Sequence, residues 1–262
     1  MNASTSALQA EGLSIGYGGR VVAAGIDLAL PQSEVTCLLG PNGVGKTTLF
    51  KTLLGLLPPL GGKVMLGEAD ISAMSRDAVA RRIAYVPQSY DGAFAYTVLD
   101  LVVMGRTAHL GAFTPPGKAD VAIAMQALER LGVADLAERD ANRISGGQRQ
   151  LALIARALAQ QAGIIVMDEP TASLDLGNRV LVLDTVQALA NEGLAVLLST
   201  HEPEQALAIA NGVALLEPNQ PFATGNAIAM LTGERLSRLY GVPLMVERTL
   251  SGRRVVTTLA KH

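Results

Sequence analysis

Gly40-Pro41-Asn42-Gly43-Val44-Gly45-Lys46-Thr47, with Thr48 behind it, decides how the rest of the chain is read. Glycines at these spacings let backbone N–H groups turn inward around phosphate oxygens, which side chains would obstruct. The apolar run that precedes the loop, Val35–Leu39, has the length of a buried strand. The run that follows, residues 49–57, is expected to be a helix aiming its partially positive N-terminus at the same anion. Lys46 is placed to reach β- and γ-phosphates, and the Thr47 hydroxyl to ligate Mg²⁺. An ordinary glycine-rich loop would not need to sit between a strand and a helix.

Working outward, three more apolar runs each end in polar residues: Ile83–Val86 before Pro87-Gln88, Ile164–Met167 before Asp168-Glu169, and residues 195–198 before Ser199-Thr200-His201. Runs of this length suit strands buried on both faces of a mostly parallel sheet. Ligands of such sheets bind beyond the carboxyl ends of the strands. Four separate stretches therefore deliver polar groups to one edge, and the fold expected is α/β. Asp168 is suited to holding Mg²⁺ and Glu169 to activating a water. Taken alone, the same pair could be a solvated acidic turn before Pro170.

Residues 10–39 alternate like short strands around turn signals at Gly18-Gly19 and Pro31, and are expected to form an antiparallel subdomain. From residue 89 to 160 the period becomes helical, which suggests an inserted helical subdomain between core segments 1–88 and 161–262. Residues 242–258 alternate around Ser251-Gly252 and read as a hairpin appended to that core. Within the insertion, Ser145-Gly146-Gly147-Gln148 carries the Ser and Gln of a capping box. The box does not explain two glycines in a first helical turn, each costing up to about 1 kcal/mol relative to Ala. Close approach of another molecule at that helix start would.

Composition narrows the partners. The chain of 262 residues has a formal net charge of -2, which gives no electrostatic reason to expect nucleic acid. Its lone cysteine, Cys37, lies in an apolar run and is expected to be an inert buried thiol. Residues 1–9 lack the basic start and apolar stretch of a secretory signal. No window holds the roughly 18 uncharged apolar residues that span a bilayer. Mean hydropathy is nevertheless high, at +0.32; surface for partner subunits and a small Ala- and Leu-rich core account for that surplus about equally well. His109 and His262 show no ligand spacing and are expected at the surface, as is the polar face bearing Arg76, Arg81 and Arg82.

Together these motifs resemble the nucleotide-binding subunit of ABC transporters, over essentially the whole chain. The resemblance implies a P-loop NTPase core with Walker A at residues 40–48, including Pro41, Asn42 and Val44, and Walker B ending at Asp168. It implies that Glu169 is the catalytic glutamate, His201 the switch histidine, and Gln88 the Q-loop residue, counted with Thr47 and Asp168 among Mg²⁺ ligands. Ser145, Gly146, Gly147 and Gln148 match the signature, with Ile144 where Leu is usual; Asp175 matches the D-loop, and Tyr17 the aromatic stacking on adenine. A turn aromatic beside Gly18-Gly19 is the lesser alternative for Tyr17. The family arrangement implies a head-to-tail homodimer in which the signature of one copy contacts ATP on the other.

Residues 97–106 with His109-Leu110-Gly111, and Thr200-His201-Glu202-Pro203 with Glu in place of the usual Asp, resemble the metal-chelate importer subfamily. That resemblance implies ATP hydrolysis energising uptake of an iron–siderophore, haem, cobalamin or molybdate-type substrate. Two copies of a separate permease and, indirectly, a substrate-binding protein would be partners, with the chain at the cytoplasmic face of the inner membrane. A cassette of another importer or an exporter, or a non-transport ATPase of the same fold, remains the alternative.

Overall fold

The computed structural model describes residues 6–90, 95–111 and 113–258; His262 lies outside them. The first part of the chain forms β1 (Ser6–Tyr17), β2 (Arg20–Pro31), β3 (Val35–Leu39), α1 (Lys46–Leu53), β4 (Gly61–Leu66), β5 (Ala69–Asp70), α2 (Arg76–Ala80) and β6 (Ile83–Val86). Three helices follow: α3 (Val98–Val103), α4 (Lys118–Arg130) and α5 (Gly146–Ala159). Then come β7 (Ile164–Met167), α6 (Leu176–Asn191), β8 (Ala195–Thr200), α7 (Pro203–Ile209) and β9 (Gly212–Leu215). The chain closes with β10 (Ala223–Asn226), α8 (Ala227–Met230), α9 (Gly233–Tyr240), β11 (Leu244–Arg248) and β12 (Arg254–Thr258).

The central sheet has the order β10-β9-β3-β8-β7-β6, with β9 through β6 parallel and β10 antiparallel at its edge. Strands β3, β6, β7 and β8 are mostly apolar because both faces are covered, whereas the edge strand β10 is largely exposed. Leu38, Val166 and Leu197 pack with Leu49, Phe50 and Leu53 of α1 and with the antiparallel strands. Cys37, Leu39, Met167 and Leu198 pack on the opposite side with Ile154 of α5 and Val186 of α6. Burying each such side chain stabilises the fold by about 1.5–3 kcal/mol. Burial also pushes the Cys37 thiol far above its usual range, so it stays protonated and inert.

The second sheet, β2-β1-β4-β5, is antiparallel. Where short strands were expected over residues 10–39, β1 and β2 are 12 residues each. Register shifts within their pairing bend the ribbon, so alternation breaks up in the sequence while the strands continue. The expected helix over 49–57 is also shorter: α1 stops at Leu53, because Gly55 turns the chain at φ 68°.

Helices α3, α4 and α5 pack on one another through Leu101, Val102, Ala124, Leu128, Leu151 and Ala155. Arg106, buried to 7% exposure, locks their far end: it donates to the Ala159 carbonyl, to Gln161 and to Asp120. The Gly117 N–H at the start of α4, and then the Arg106 guanidinium, hold the Asp120 carboxyl below its ordinary range. His109, expected at the surface, is half-buried, with Nε2 2.8 Å from the Gln160 carbonyl. Strands β11 and β12 form an antiparallel hairpin against α9 and α7.

Candidate functional site

The parallel register brings the polar strand ends to one edge. Leu39 pairs with Thr200, Met167 with Leu198 and Val86 with Met167, so Gly40, His201, Asp168 and Gln88 all leave the sheet on the same side. The 40–45 loop is shaped by contacts only glycine permits. A Cβ at Gly40 would overlap the Leu216 carbonyl, and one at Gly45 would lie 2.7 Å from Val22 Cγ1. Gly43 and Gly45 also take φ of 78° and 117°, where L side chains are strained. Helix α1 then starts with no side-chain cap and no acidic residue in its first turn. Its uncompensated N–H groups make that end an anion site.

Lys46 is buried to 6% exposure, and its ammonium donates to the Gly40 carbonyl at 2.8 Å. The same nitrogen is 3.3 Å from Glu169 Oε1. Glu169 also accepts from Gln88 Nε2 at 3.2 Å, and its Oε2 is 3.3 Å from His201 Nδ1. Three expected site residues from three different strand ends thus converge on one carboxylate. Glu169 takes a left-handed φ of 44°, which aims its side chain across the edge instead of along β7.

Asp168, 4% exposed, is bonded differently. It accepts from the hydroxyls of Thr47 at 2.8 Å, Ser199 at 2.6 Å and Tyr85 at 3.5 Å. A buried carboxylate surrounded by hydroxyls, with Lys46 committed to Glu169 instead, fits a hard divalent cation. Mg²⁺ takes oxygen ligands, few of them from protein, and keeps waters and substrate phosphate for the rest. No cluster of three or more His, Cys, Asp or Glu able to hold a metal occurs among the described residues. Burial, and then the adjoining Asp168 carboxylate, push the Tyr85 phenol up to about 12. Tyr85 escapes sequence reasoning, and Ser199 enters it only as one of the polar residues ending an apolar run, without a role; its Oγ also accepts from the Glu169 N–H at 2.9 Å.

Beside the loop lies a cleft of about 860 Å³, lined by Tyr17, Val22, Pro41, Asn42, Val44 and Phe222 among others. Tyr17 is half exposed on its wall, its phenol oxygen 3.4 Å from the Thr48 hydroxyl. Thr48 itself is buried.

Ser145, Gly146, Gly147 and Gln148 stand apart from this cluster, at the start of α5. Ser145 and Gln148 complete a reciprocal capping box. A Cβ at Gly147 would overlap the Asn178 side chain. That amide is held by Asp175, which N-caps α6 and accepts from both the N–H and the Nδ2 of Asn178 at 2.8 Å. Those bonds, the backbone one first, hold the Asp175 carboxyl below its ordinary range. The close approach inferred for these glycines therefore has, at Gly147, a partner inside the chain.

A family model described as ABC transporter matches residues 23–172 of this chain. The chain belongs to the ABC transporter family. The molybdate import ATP-binding protein MolC of Haemophilus influenzae is 39% identical over 85% of this chain and 83% of its own length. The ferric enterobactin transport ATP-binding protein FepC of Escherichia coli is 34% identical over 100% of this chain and 97% of its own. Among solved structures, an inward-facing ABC transporter assigned to the metal-chelate type superposes with a TM-score of 0.87 at 36% identity, covering 98% of both chains. As a member of this family, the chain is an ATP-binding ATPase with the α/β architecture of its structural neighbours. Among the described residues of this ABC ATPase, no helix is long and apolar enough to cross a membrane.

Proposed function

We propose that this ABC ATPase drives import of a metal chelate, of iron-chelate or molybdate type, through a separate permease at the cytoplasmic face of the inner membrane. The observation that carries the catalytic part is the convergence of Lys46, Gln88 and His201 on Glu169, beside a loop that leaves the N-terminus of α1 uncapped. The importer part is supported by likeness to the molybdate and ferric enterobactin proteins and to the metal-chelate transporter.

In this reading ATP sits with its base on Tyr17 and its phosphates in the 40–48 loop, against the first N–H groups of α1. Lys46 would exchange its loop carbonyls for phosphate oxygens, which releases Glu169 from its ion pair. Thr47, Asp168 and Gln88 would hold Mg²⁺, which supplies charge neutralisation for the transferring phosphoryl group. Glu169 would then accept a proton from, or orient, the attacking water, with His201 fixing its carboxylate and facing the γ-phosphate. Ser199 keeps Asp168 and the Glu169 backbone in register.

The signature Ser145–Gln148 would complete the site on a second copy, giving a head-to-tail dimer. The helical segment 89–160 would move against the core and carry that motion to the permease. An apolar groove of about 460 Å³ between them, lined by Leu54, Leu56, Met74 and Met104 among others, suits a permease helix. ATP acts by binding the closed dimer better than the open one.

Glu169→Gln is expected to lower turnover by roughly 10²–10⁴-fold while ATP binding survives. The variant, tagged and drawn from its native membranes with ATP, should bring a polytopic permease with it. Near-normal hydrolysis would overturn the role of Glu169, and recovery of soluble partners alone would overturn the transport reading.

A further inference from the structure

Two strand ends supply the reacting groups of the proposed site, β7 through Glu169 and β8 through His201. Ladder pairing between them ends at Met167 and Leu198, before either residue. The sheet therefore does not set the distance between Glu169 and His201; side chains beyond it must. Ser199 fixes the Glu169 N–H to β8 at 2.9 Å, and one buried amide ties the turns beyond it. Gln205, on α7 and 4% exposed, accepts through Oε1 from the hydroxyls of Thr171 and Thr200, each at 2.9 Å. Thr171 lies two residues beyond Glu169, and Thr200 directly precedes His201. A single oxygen thus ties both turns together.

Each side of that tie is continued by further bonds. The Thr200 hydroxyl also accepts from the Glu202 N–H at 3.0 Å, which wraps the chain around His201. Glu202 pairs with Arg179 of α6 at 2.6 Å, and the Gln205 N–H bonds the Glu202 carbonyl at 3.1 Å. On the other side, the Ala172 N–H returns to the Glu169 carbonyl at 3.0 Å, closing the turn that holds Glu169 at its left-handed φ. The cost of this arrangement is visible. Gln205 Nε2 is buried with no hydrogen-bond partner among the described residues. An orphaned buried donor is unfavourable, and Met or Leu would fill the same space without it. What those residues cannot provide is the acceptor.

We propose that Gln205 is a positioning residue for ATP hydrolysis, its Oε1 fixing the separation of the Glu169 and His201 turns. This rests on the roles given to those two residues above. Gln205 touches neither nucleotide nor water in this assignment; it acts through Thr171 and Thr200.

The test is steady-state ATPase kinetics of the full chain, with any membrane partner that copurifies, in Gln205→Met, Gln205→Glu and Glu169→Gln. Gln205→Met keeps the shape and removes the acceptor. It is expected to lower kcat by roughly 10- to 10²-fold, as small misplacements of catalytic groups do, with KM for ATP unchanged. Gln205→Glu keeps an acceptor oxygen for the two hydroxyls at the cost of burying a carboxyl group, and its kcat should lie above that of Gln205→Met. Adding Gln205→Met to Thr171→Val/Thr200→Val should cost nothing further, since the shared tie is already cut. Full kcat in Gln205→Met would overturn the proposal, as would an equal loss in Gln205→Glu or a loss that simply follows Tm. Normal turnover in Glu169→Gln would instead show that the underlying site reading has failed. An inactive Glu169→Gln beside a fully active Gln205→Met would sink the positioning role alone.

Discussion

The chain starts two helices with glycine-rich turns, and it finishes them in opposite ways. Helix α1 begins after Gly45 at φ 117°, with no side-chain cap and no acidic residue in its first turn. Helix α5 begins after Ser145, with a complete capping box from Gln148. An uncapped start leaves orphan N–H groups and roughly half a unit of positive charge facing outward. A capped start has spent part of that potential on its own side chains. The first turn is therefore built around something the chain does not contain. The second is largely complete in itself, and Gly147 is required there by the neighbouring Asn178. Two similar strings of glycine thus have different physical causes, and only the contacts around them separate the two.

The largest expected effect breaks the open end. Lys46→Ala removes the ammonium that donates to the Gly40 carbonyl and pairs with Glu169. A charge-assisted contact to phosphate is worth about 1.5–3 kcal/mol. ATP affinity measured by titration calorimetry should accordingly fall by roughly 10- to 10²-fold, each tenfold being about 1.4 kcal/mol. Ser145→Ala, at the closed end, should leave affinity in the isolated chain unchanged. Equal losses in the two variants would erase the distinction between the helix starts.

A smaller effect is expected at Gly147. Adding a methyl there forces the Asn178 amide away from Asp175, and overpacking of this kind costs about 1–3 kcal/mol. Urea denaturation should show the loss, and Asn178→Ala in the same chain should restore part of it by vacating the space. The pH dependence has a definite sign. Asp175 titrates below its usual value because Asn178 donates to it, so its contribution is present above about pH 4 and fades as pH falls through the depressed value. The stability gap between wild type and Gly147→Ala should narrow in acid. A constant gap would mean that Asp175 takes no part.

The same contrast explains what could be read from the sequence. Strand β3, the 40–48 loop and the start of α1 are contiguous, and the apolar strands β3, β6, β7 and β8 each run out into polar residues at one sheet edge. Local chemistry is enough to bring that loop, Asp168 and Glu169 to one edge and to mark the alternation at β11 and β12. It is not enough where one segment explains another. Gly147 is set by Asn178, and Ser199 is read only once β8 lies beside β7. Gln205 looks like an ordinary polar helix residue until Thr171 and Thr200 are seen on its oxygen. Strand β9 is an apolar run like the others, but it ends in no recognisable motif, so nothing local marks it as part of the sheet. These links join residues distant in the chain and leave no periodicity behind.

The smallest effect tests what the closed end still offers. Gly146 is exposed, and a Cβ there would meet only Leu174 Cδ2, at an ordinary 3.7 Å. Among the described residues, none requires glycine at this position. Gly146→Ala should therefore gain up to about 1 kcal/mol of stability from helix propensity, raising the urea midpoint. If the signature meets a nucleotide on a second copy, the added methyl stands where that molecule must approach, and turnover should fall while the fold becomes more stable. The dimer reading therefore predicts stability and activity moving in opposite directions, with ATP affinity of the isolated chain unchanged. If both instead stay level or rise together, the glycine at 146 serves no contact across a dimer, and α5 is as closed to a partner as its capping box makes it look from within.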